Sequence, residues 1–230
     1  QPAHYLVVPA GGTGLVLRGL RKEPATIGKW HLGWDLTYKE GKAKTVDNID
    51  FTKRVANGPT DRGFDYFYGL TSPSGPPHLY MVNDMAEKQP NTRFEESGGG
   101  LYKIKGGIGH SDWSSDGMQP HLADKMLEYL DENKDSDKPF FLYMALTAPH
   151  IPLFPSKEFK GKSKIGDYGD LVMMIDDIVG RVNRKLKEIG KYDNTIVMFA
   201  ADNGCAGYIN MDRINRKGHY PSYIYRGYKS

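Results

Sequence analysis

The sequence predicts an α/β protein built on a mostly parallel sheet sandwiched by helices, and three observations carry that prediction. Residues 139–146 (PFFLYMAL) form a near-continuous apolar run, the pattern of a strand buried on both faces. From about 167 to 189, apolar residues recur at Leu171, Met174, Ile175, Ile178, Val182, Leu186 and Ile189. That spacing of three and four marks one face of a long amphipathic helix. Residues 195–201 (TIVMFAA) are a second apolar run, which predicts a second buried strand of the same kind. A strand, a long connection containing a helix, and a strand make a βαβ unit, which joins parallel neighbours.

The remaining elements follow in chain order. Residues 4–8 (HYLVV) suit a core strand, and 25–27 (ATI) the end of another that runs into Lys29. The aromatic-rich stretch 61–69 (DRGFDYFYG) is expected to pack loops onto the core. Between about 71 and 117 the chain is rich in Gly, Pro, Ser and Asn, as in SPSGPP at 72–77 and GGG at 98–100. This predicts long loops over one sheet edge, with a short hairpin at 101–104. A further helix is expected from Pro120, with Leu122, Met126, Leu127 and Leu130 on its apolar face. Gly190 ends the long helix. Three of these strands lead into residues of chemical interest, and open parallel sheets gather their sites at the carboxyl ends of strands.

Composition bounds the function. With 230 residues, 39% hydrophobic and 26% charged, the chain can bury a real core as one large domain or two small ones. No stretch approaches the ~20 apolar residues of a membrane span. Thirty-one basic residues against 28 acidic ones give a formal charge of +3, too balanced to argue for nucleic-acid binding, and no Lys/Arg block supports it. The single cysteine, Cys205, excludes an intrachain disulfide framework and a thiolate zinc cluster. No signal-peptide pattern opens the chain, which for a mature secreted protein leaves the compartment open.

Four short segments carry chemistry. In 28–33 (GKWHLG), Lys29 and His31 stand two apart just past a strand, so an extended backbone would turn both toward one pocket and Trp30 into the packing. An ordinary strand-to-loop turn with surface Lys and His fits the same letters. In 147–150 (TAPH), Pro149 stiffens the exit of the second strand and fixes where His150 emerges, whether its role is structural or catalytic. Asp202 and Asn203 offer hard oxygen ligands suited to Ca²⁺ or, less well, Mg²⁺, and Asn203-Gly204 is also a turn signal. A calcium shell takes roughly 6–8 oxygens, so this pair is part of one at most. The fourth segment, 226–229 (RGYK), is weak in isolation. Asp176 and Asp177 are adjacent on a helix, so they face different directions and read as solvated.

Taken in order, these segments and their surroundings resemble the formylglycine-dependent sulfatases, the arylsulfatase family of the alkaline-phosphatase-like fold. The phrases that carry the resemblance are IGKWHLG, DRGFDYFYGL, KPFFLYMALTAPHIP, DDIVGRV, KYDNTIVMFAADNG and RGYK. The resemblance implies a sulfuric ester hydrolase, with Lys29 and Lys229 as cationic sulfate clamps. His31 would hydrogen-bond the nucleophile and serve as base, and His150 would bind sulfate near the leaving oxygen. Asp202 and Asn203 would be two of the calcium ligands. The segment 218–223 (GHYPSY) looks like that of bacterial arylsulfatases, some acting on sulfated sugars, and implies His219 as a further substrate contact. A periplasmic or extracellular location is implied with it.

Two family features are missing from these letters. The Cys- or Ser-x-Pro-x-Arg signature, whose first residue becomes formylglycine, does not occur upstream of Gly28. Nor does the Asp-Asp pair that completes the calcium site. The expectation is therefore an incomplete sulfatase catalytic domain over 1–230, without the smaller C-terminal subdomain and inactive on its own. Cys205 stands in the wrong segment to be the nucleophile and reads as a small residue packed behind the metal turn. Two rivals remain: a phosphodiesterase or phosphonate hydrolase of the same fold, and an inactive carbohydrate-binding relative.

Overall fold

The computed structural model describes residues 4–10 by backbone, and residues 23–225 and 227–229 in full. Arg226, in the fourth segment, lies outside the described residues. Nine strands occur among the described residues: β1 (His4–Ala10), β2 (Glu23–Lys29), β3 (Tyr66–Leu70), β4 (Met81–Val82), β5 (Met85–Ala86), β6 (Thr92–Phe94), β7 (Gly107–Gly109), β8 (Phe140–Ala145) and β9 (Thr195–Ala201). Three helices accompany them: α1 (Met118–Glu132), α2 (Asp167–Glu188) and the short α3 (Met211–Asn215). Seven strands form one sheet in the order β5-β4-β3-β2-β8-β1-β9, with β6 and β7 paired separately. The strands β3, β2, β8, β1 and β9 are mutually parallel, and only β4 and β5 add antiparallel pairing.

The register sets the site. β2 runs beside β8 from Glu23↔Phe140 to Gly28↔Ala145. β1 aligns with β9 from His4↔Thr195 to Ala10↔Ala201. The carboxyl ends of β2, β8 and β9 therefore come out on one edge, and each is followed by one of the chemistry-bearing segments.

β8 is buried at every position, as its apolar run requires. One face of the sheet, with Ala25, Ile27, Tyr68, Leu70, Leu142 and Met144, packs against α1 and α2. Their buried stripes are Leu122, Met126 and Leu130 on α1, and Leu171, Met174, Ile175, Ile178, Val182 and Leu186 on α2. α1 starts two residues before Pro120, which falls in its first turn, where a missing N–H leaves no helical hydrogen bond unmade. The opposite face, with Phe67, Phe141, Tyr143 and Ala145, packs against Trp30, Ile49, Phe51, Val55 and Phe64. Among the described residues that second layer is loop with two short 3₁₀ turns, Val46–Asn48 and Thr60–Arg62, and α1 and α2 cover the first face.

Three local expectations are corrected. The stretch 61–69 was expected as packing loops, but 66–70 of the chain is the strand β3, with Phe67 and Tyr68 buried on opposite faces. The hairpin expected at 101–104 is a 3₁₀ turn at Gly100–Tyr102, and the pairing lies outside it in β6 and β7, with a single bridge between Ser97 and Ile104. β9 was expected to be buried on both faces. Among the described residues it pairs only with β1, at the sheet's edge, and Phe199 is 57% exposed. An apolar run records a strand's composition and not its place in the sheet order. No helix among the described residues is long and apolar enough to cross a membrane.

Candidate active site

A cavity of about 980 Å³ opens at the carboxyl edge of β2, β8 and β9. Lys29, His31, His150, Asp202, Asn203 and Lys229 all line it, although up to two hundred residues of sequence separate them.

Each arrives by a different local device. Lys29 is the last residue of β2, and the next residue still pairs, with Trp30 N–H donating to Leu70 O at 3.0 Å. Trp30 is buried, its indole N–H bonded to Gly33 O at 3.1 Å. His31 does not continue the strand: its φ is 52°, in the left-handed region. A non-glycine residue held there costs about 1–3 kcal/mol, and such strain clusters at functional sites. The alternation expected of an extended chain therefore does not bring His31 beside Lys29; the turn does.

His150 follows β8 through a turn closed by its own N–H donating to Thr147 O at 3.1 Å. Its Nδ1 lies 2.6 Å from Ile151 O, so Nδ1 carries the hydrogen and donates. That leaves Nε2 as the free ring nitrogen. Asp202, Asn203 and Gly204 form a bend after β9. Lys229 is held against that bend, its N–H donating to Cys205 O at 3.1 Å and its backbone bridged to Ala206 in parallel. Gly204 lets the two segments touch, since a β-carbon there would sit 2.4 Å from Gly227 O.

The cations crowd one another. Burial first, then the Lys229 charge, lower the pKa of Lys29, and Asp202 opposes them. Burial also lowers His31, helped by Lys29 and Lys229. For His150 burial lowers the pKa most, the bond to Ile151 O opposes it next, and Lys29, Lys229 and His31 lower it further. Such a cluster is costly without a partner and suits a small dianion that neutralises it.

Asp202 and Asn203 supply one carboxylate and one amide oxygen, the donor chemistry of a hard cation. Among the described residues no group of three or more His, Cys, Asp or Glu stands ready to hold a metal ion. The pair fits part of a calcium shell, and the described residues do not complete it.

His219 is not among the residues that line the cavity. Its ring packs edge-on against Tyr168 at 6.3 Å, and it is Tyr168 that faces the cleft. Several lining residues were not singled out from sequence. Tyr168, Tyr208, Tyr223, Tyr225 and Tyr228 give the cavity an aromatic wall, and Val172, Ile175 and Val179 from α2 an apolar one. Of these three, Ile175 belongs to the apolar stripe legible in the sequence, and Val172 and Val179 lie beside it. Asp170, fully buried one turn into α2, accepts from Gly161 N–H at 2.7 Å and Ser163 N–H at 2.6 Å, tying down the loop that precedes Tyr168. Cys205 donates weakly to the Tyr168 hydroxyl at 3.5 Å, and burial raises its pKa, which suits packing and not nucleophilic attack.

The histidines predict a pH effect on stability. Burial lowers the pKa of His31, His78, His121 and His150 below the ordinary 6.5. The unfolded chain then binds more protons than the fold, so stability is full above about pH 6.5 and falls as pH drops through the lowered values. Asp50 and Asp112, also lowered, start from 3.8 and act in a separate, more acidic window. The denaturation midpoint is expected to fall between pH 7.5 and pH 5.5, on the order of one pH unit either side of that 6.5. A midpoint that rose on acidification over this range would contradict the burial of these rings.

A parallel sheet whose carboxyl edge gathers two lysines, two histidines and an Asp-Asn pair around one cavity defines an α/β protein with a cationic cleft. A profile described as Sulfatase matches residues 16–225. The chain belongs to the sulfatase family. It is 28% identical to an N-acetylgalactosamine-6-O-sulfatase of Bacteroides thetaiotaomicron, over 88% of this chain and 45% of that protein. It is 32% identical to the N-acetylgalactosamine-6-sulfatase of Sus scrofa, over 83% of this chain and 32% of the relative. The chain thus spans less than half the length of these relatives. A solved structure from glycosaminoglycan metabolism by Bacteroides thetaiotaomicron covers 95% of this chain and 53% of its own, with a TM-score of 0.68 at 24% identity. That likeness shows the fold.

Proposed function

We propose that the protein containing this chain is a sulfuric ester hydrolase acting on a sulfated carbohydrate. One observation carries the reading: Lys29, His31, His150 and Lys229 converge with Asp202 and Asn203 on a single cavity at the strands' carboxyl edge. The two lysines bind and orient the sulfuryl oxygens, and the free Nε2 of His150 faces the ester from the β8 side. His31, reached through its left-handed turn, stands where it can hold or take a proton from the attacking oxygen. Because the fold itself holds these groups, charge that grows in the transition state would meet them without reorganisation.

In this reading Asp202 and Asn203 provide two ligands to Ca²⁺, with Mg²⁺ the poorer fit. The formylglycine of the family and its calcium would supply the activated oxygen nucleophile; of the calcium shell the described residues offer Asp202 and Asn203, and none of them is the residue that becomes formylglycine. The relatives' names, N-acetylgalactosamine-6-sulfatases, support a sulfated sugar. So does the cavity, whose volume of about 980 Å³ exceeds what one sulfate needs and whose wall carries five tyrosines. Tyrosine offers a flat apolar face with a polar tip, which suits a sugar ring. Secretion to the periplasm or outside the cell fits such a substrate. The test compares turnover of an aryl sulfate and an aryl phosphodiester by the complete, modified protein. Preference for the sulfate is expected. Preference for the diester would make it a phosphodiesterase of the same fold, and turnover of neither an inactive relative.

A further inference from the structure

We propose that Gln119 is a positioning residue for His150 and acts through Thr147. This rests on the function proposed above, in which His150 faces the sulfate ester.

Gln119 lies in the first turn of α1 and is 3% exposed, beside the buried Met118 and Leu122. Its side-chain Oε1 accepts two hydrogen bonds from Thr147, from the backbone N–H at 3.1 Å and the hydroxyl at 2.7 Å. A backbone N–H only donates, so the amide must present its oxygen there. Its Nε2 then points the other way, buried and without a partner among the described residues. A buried donor left unpaired costs stability, because its hydration is lost with nothing in exchange. Packing alone would favour an apolar side chain at this position, so the advantage of glutamine lies in what its oxygen holds.

What it holds is the root of the catalytic turn. Thr147 is 2% exposed and follows β8 by two residues. Its N–H and hydroxyl are fixed by α1, and its carbonyl accepts the N–H of His150 at 3.1 Å. All three polar groups of Thr147 are thus engaged, two toward the helix and one toward the histidine. α1 is anchored in turn by Leu122, Met126 and Leu130, each 0% exposed. A rigid path therefore runs from the packed helix to the imidazole, with Gln119 as the link between them. Displacing a catalytic group by about 1 Å can cost on the order of 100-fold in rate, so a link of this kind shows in kcat.

The test uses the complete, modified protein and an aryl sulfate. Gln119→Leu removes the acceptor at similar volume and is expected to lower kcat by about tenfold or more while KM changes less than about threefold. Gln119→Glu, which burial keeps protonated and which retains an oxygen for Thr147, is expected to recover most of that loss. In a His150→Ala background, Gln119→Leu should alter kcat by less than about twofold, because the group it positions is gone. Should Gln119→Leu not fold, Thr147→Val takes its place with the same expectation. Full kcat in Gln119→Leu beside an impaired His150→Ala overturns the proposal. An equal loss with and without His150, or a change confined to the melting temperature, does the same. His150→Ala with wild-type turnover would overturn the reading of the site itself, and the single variant reveals that failure separately.

Discussion

Replacing Lys229 by Ala in the complete, modified protein is expected to lower kcat on an aryl sulfate by about 100-fold or more, as is His150→Ala. Lys229 stands close enough to Lys29, His31 and His150 to depress the pKa of each. Three neighbours that become harder to protonate are the cost of holding so much positive charge in one cleft. A protein stabilised by its fold alone would not gather these groups. The cost is offset when a sulfate ester binds and more fully when negative charge grows on its oxygens, so the larger loss belongs in kcat and not in KM. Lys229→Ala should also let the pKa values of His31 and His150 rise, because a lowering charge is removed. Steady-state kinetics of the variant, with its histidine titration, check both parts; a change in KM alone would make Lys229 a simple binding residue.

Gly28→Ala is expected to do comparable damage by a structural route. Gly28 sits in β2 directly opposite Ala145 of β8, with φ at 131°, where side chains are strained. A β-carbon built there would lie 2.0 Å from Ala145 O and 2.5 Å from its carbonyl carbon. The obstacle is backbone in the middle of a sheet, so it cannot swing aside as a side chain could. Overpacking costs typically 1–3 kcal/mol and an unfavourable φ about as much again, which gives roughly 2–6 kcal/mol of destabilisation. The strands that would be forced apart carry Lys29 and His150 at their ends. Chemical denaturation should show the loss of stability, and the fraction that remains folded should be impaired in turnover. A Gly28→Ala protein with wild-type stability would show that β2 and β8 do not meet as described.

The parts of this account legible in the sequence are those that local pattern controls. The apolar run of β8 and the stripe of α2 give element type and burial directly, and the letters after each strand place Lys29, His150 and Asp202 at one edge once the sheet is parallel. What long-range order decides was not legible. β9 has the composition of an interior strand, but its place at the sheet edge follows from how β1 pairs. β3 is only five residues long and includes Gly69, so its aromatic letters resemble loop packing as much as a strand. His31 reaches the cleft through a left-handed turn that no alternation rule foresees. Asp170 and Gln119 look like polar residues of helix first turns, which are commonly solvated. That both are buried depends on partners elsewhere, the N–H groups of Gly161 and Ser163 for one and Thr147 for the other. His219 differs in the other direction: a motif letter near the site whose ring packs edge-on against Tyr168 and does not line the cavity.

The most direct test of the central claim is a crystal structure of the complete protein with sulfate bound. The account predicts sulfate oxygens within about 2.7–3.2 Å of Lys29 Nζ, Lys229 Nζ and a ring nitrogen of His150, inside the cavity that Asp202 and Asn203 also line. Sulfate bound away from these residues, or His150 and Lys229 facing different surfaces, would contradict it.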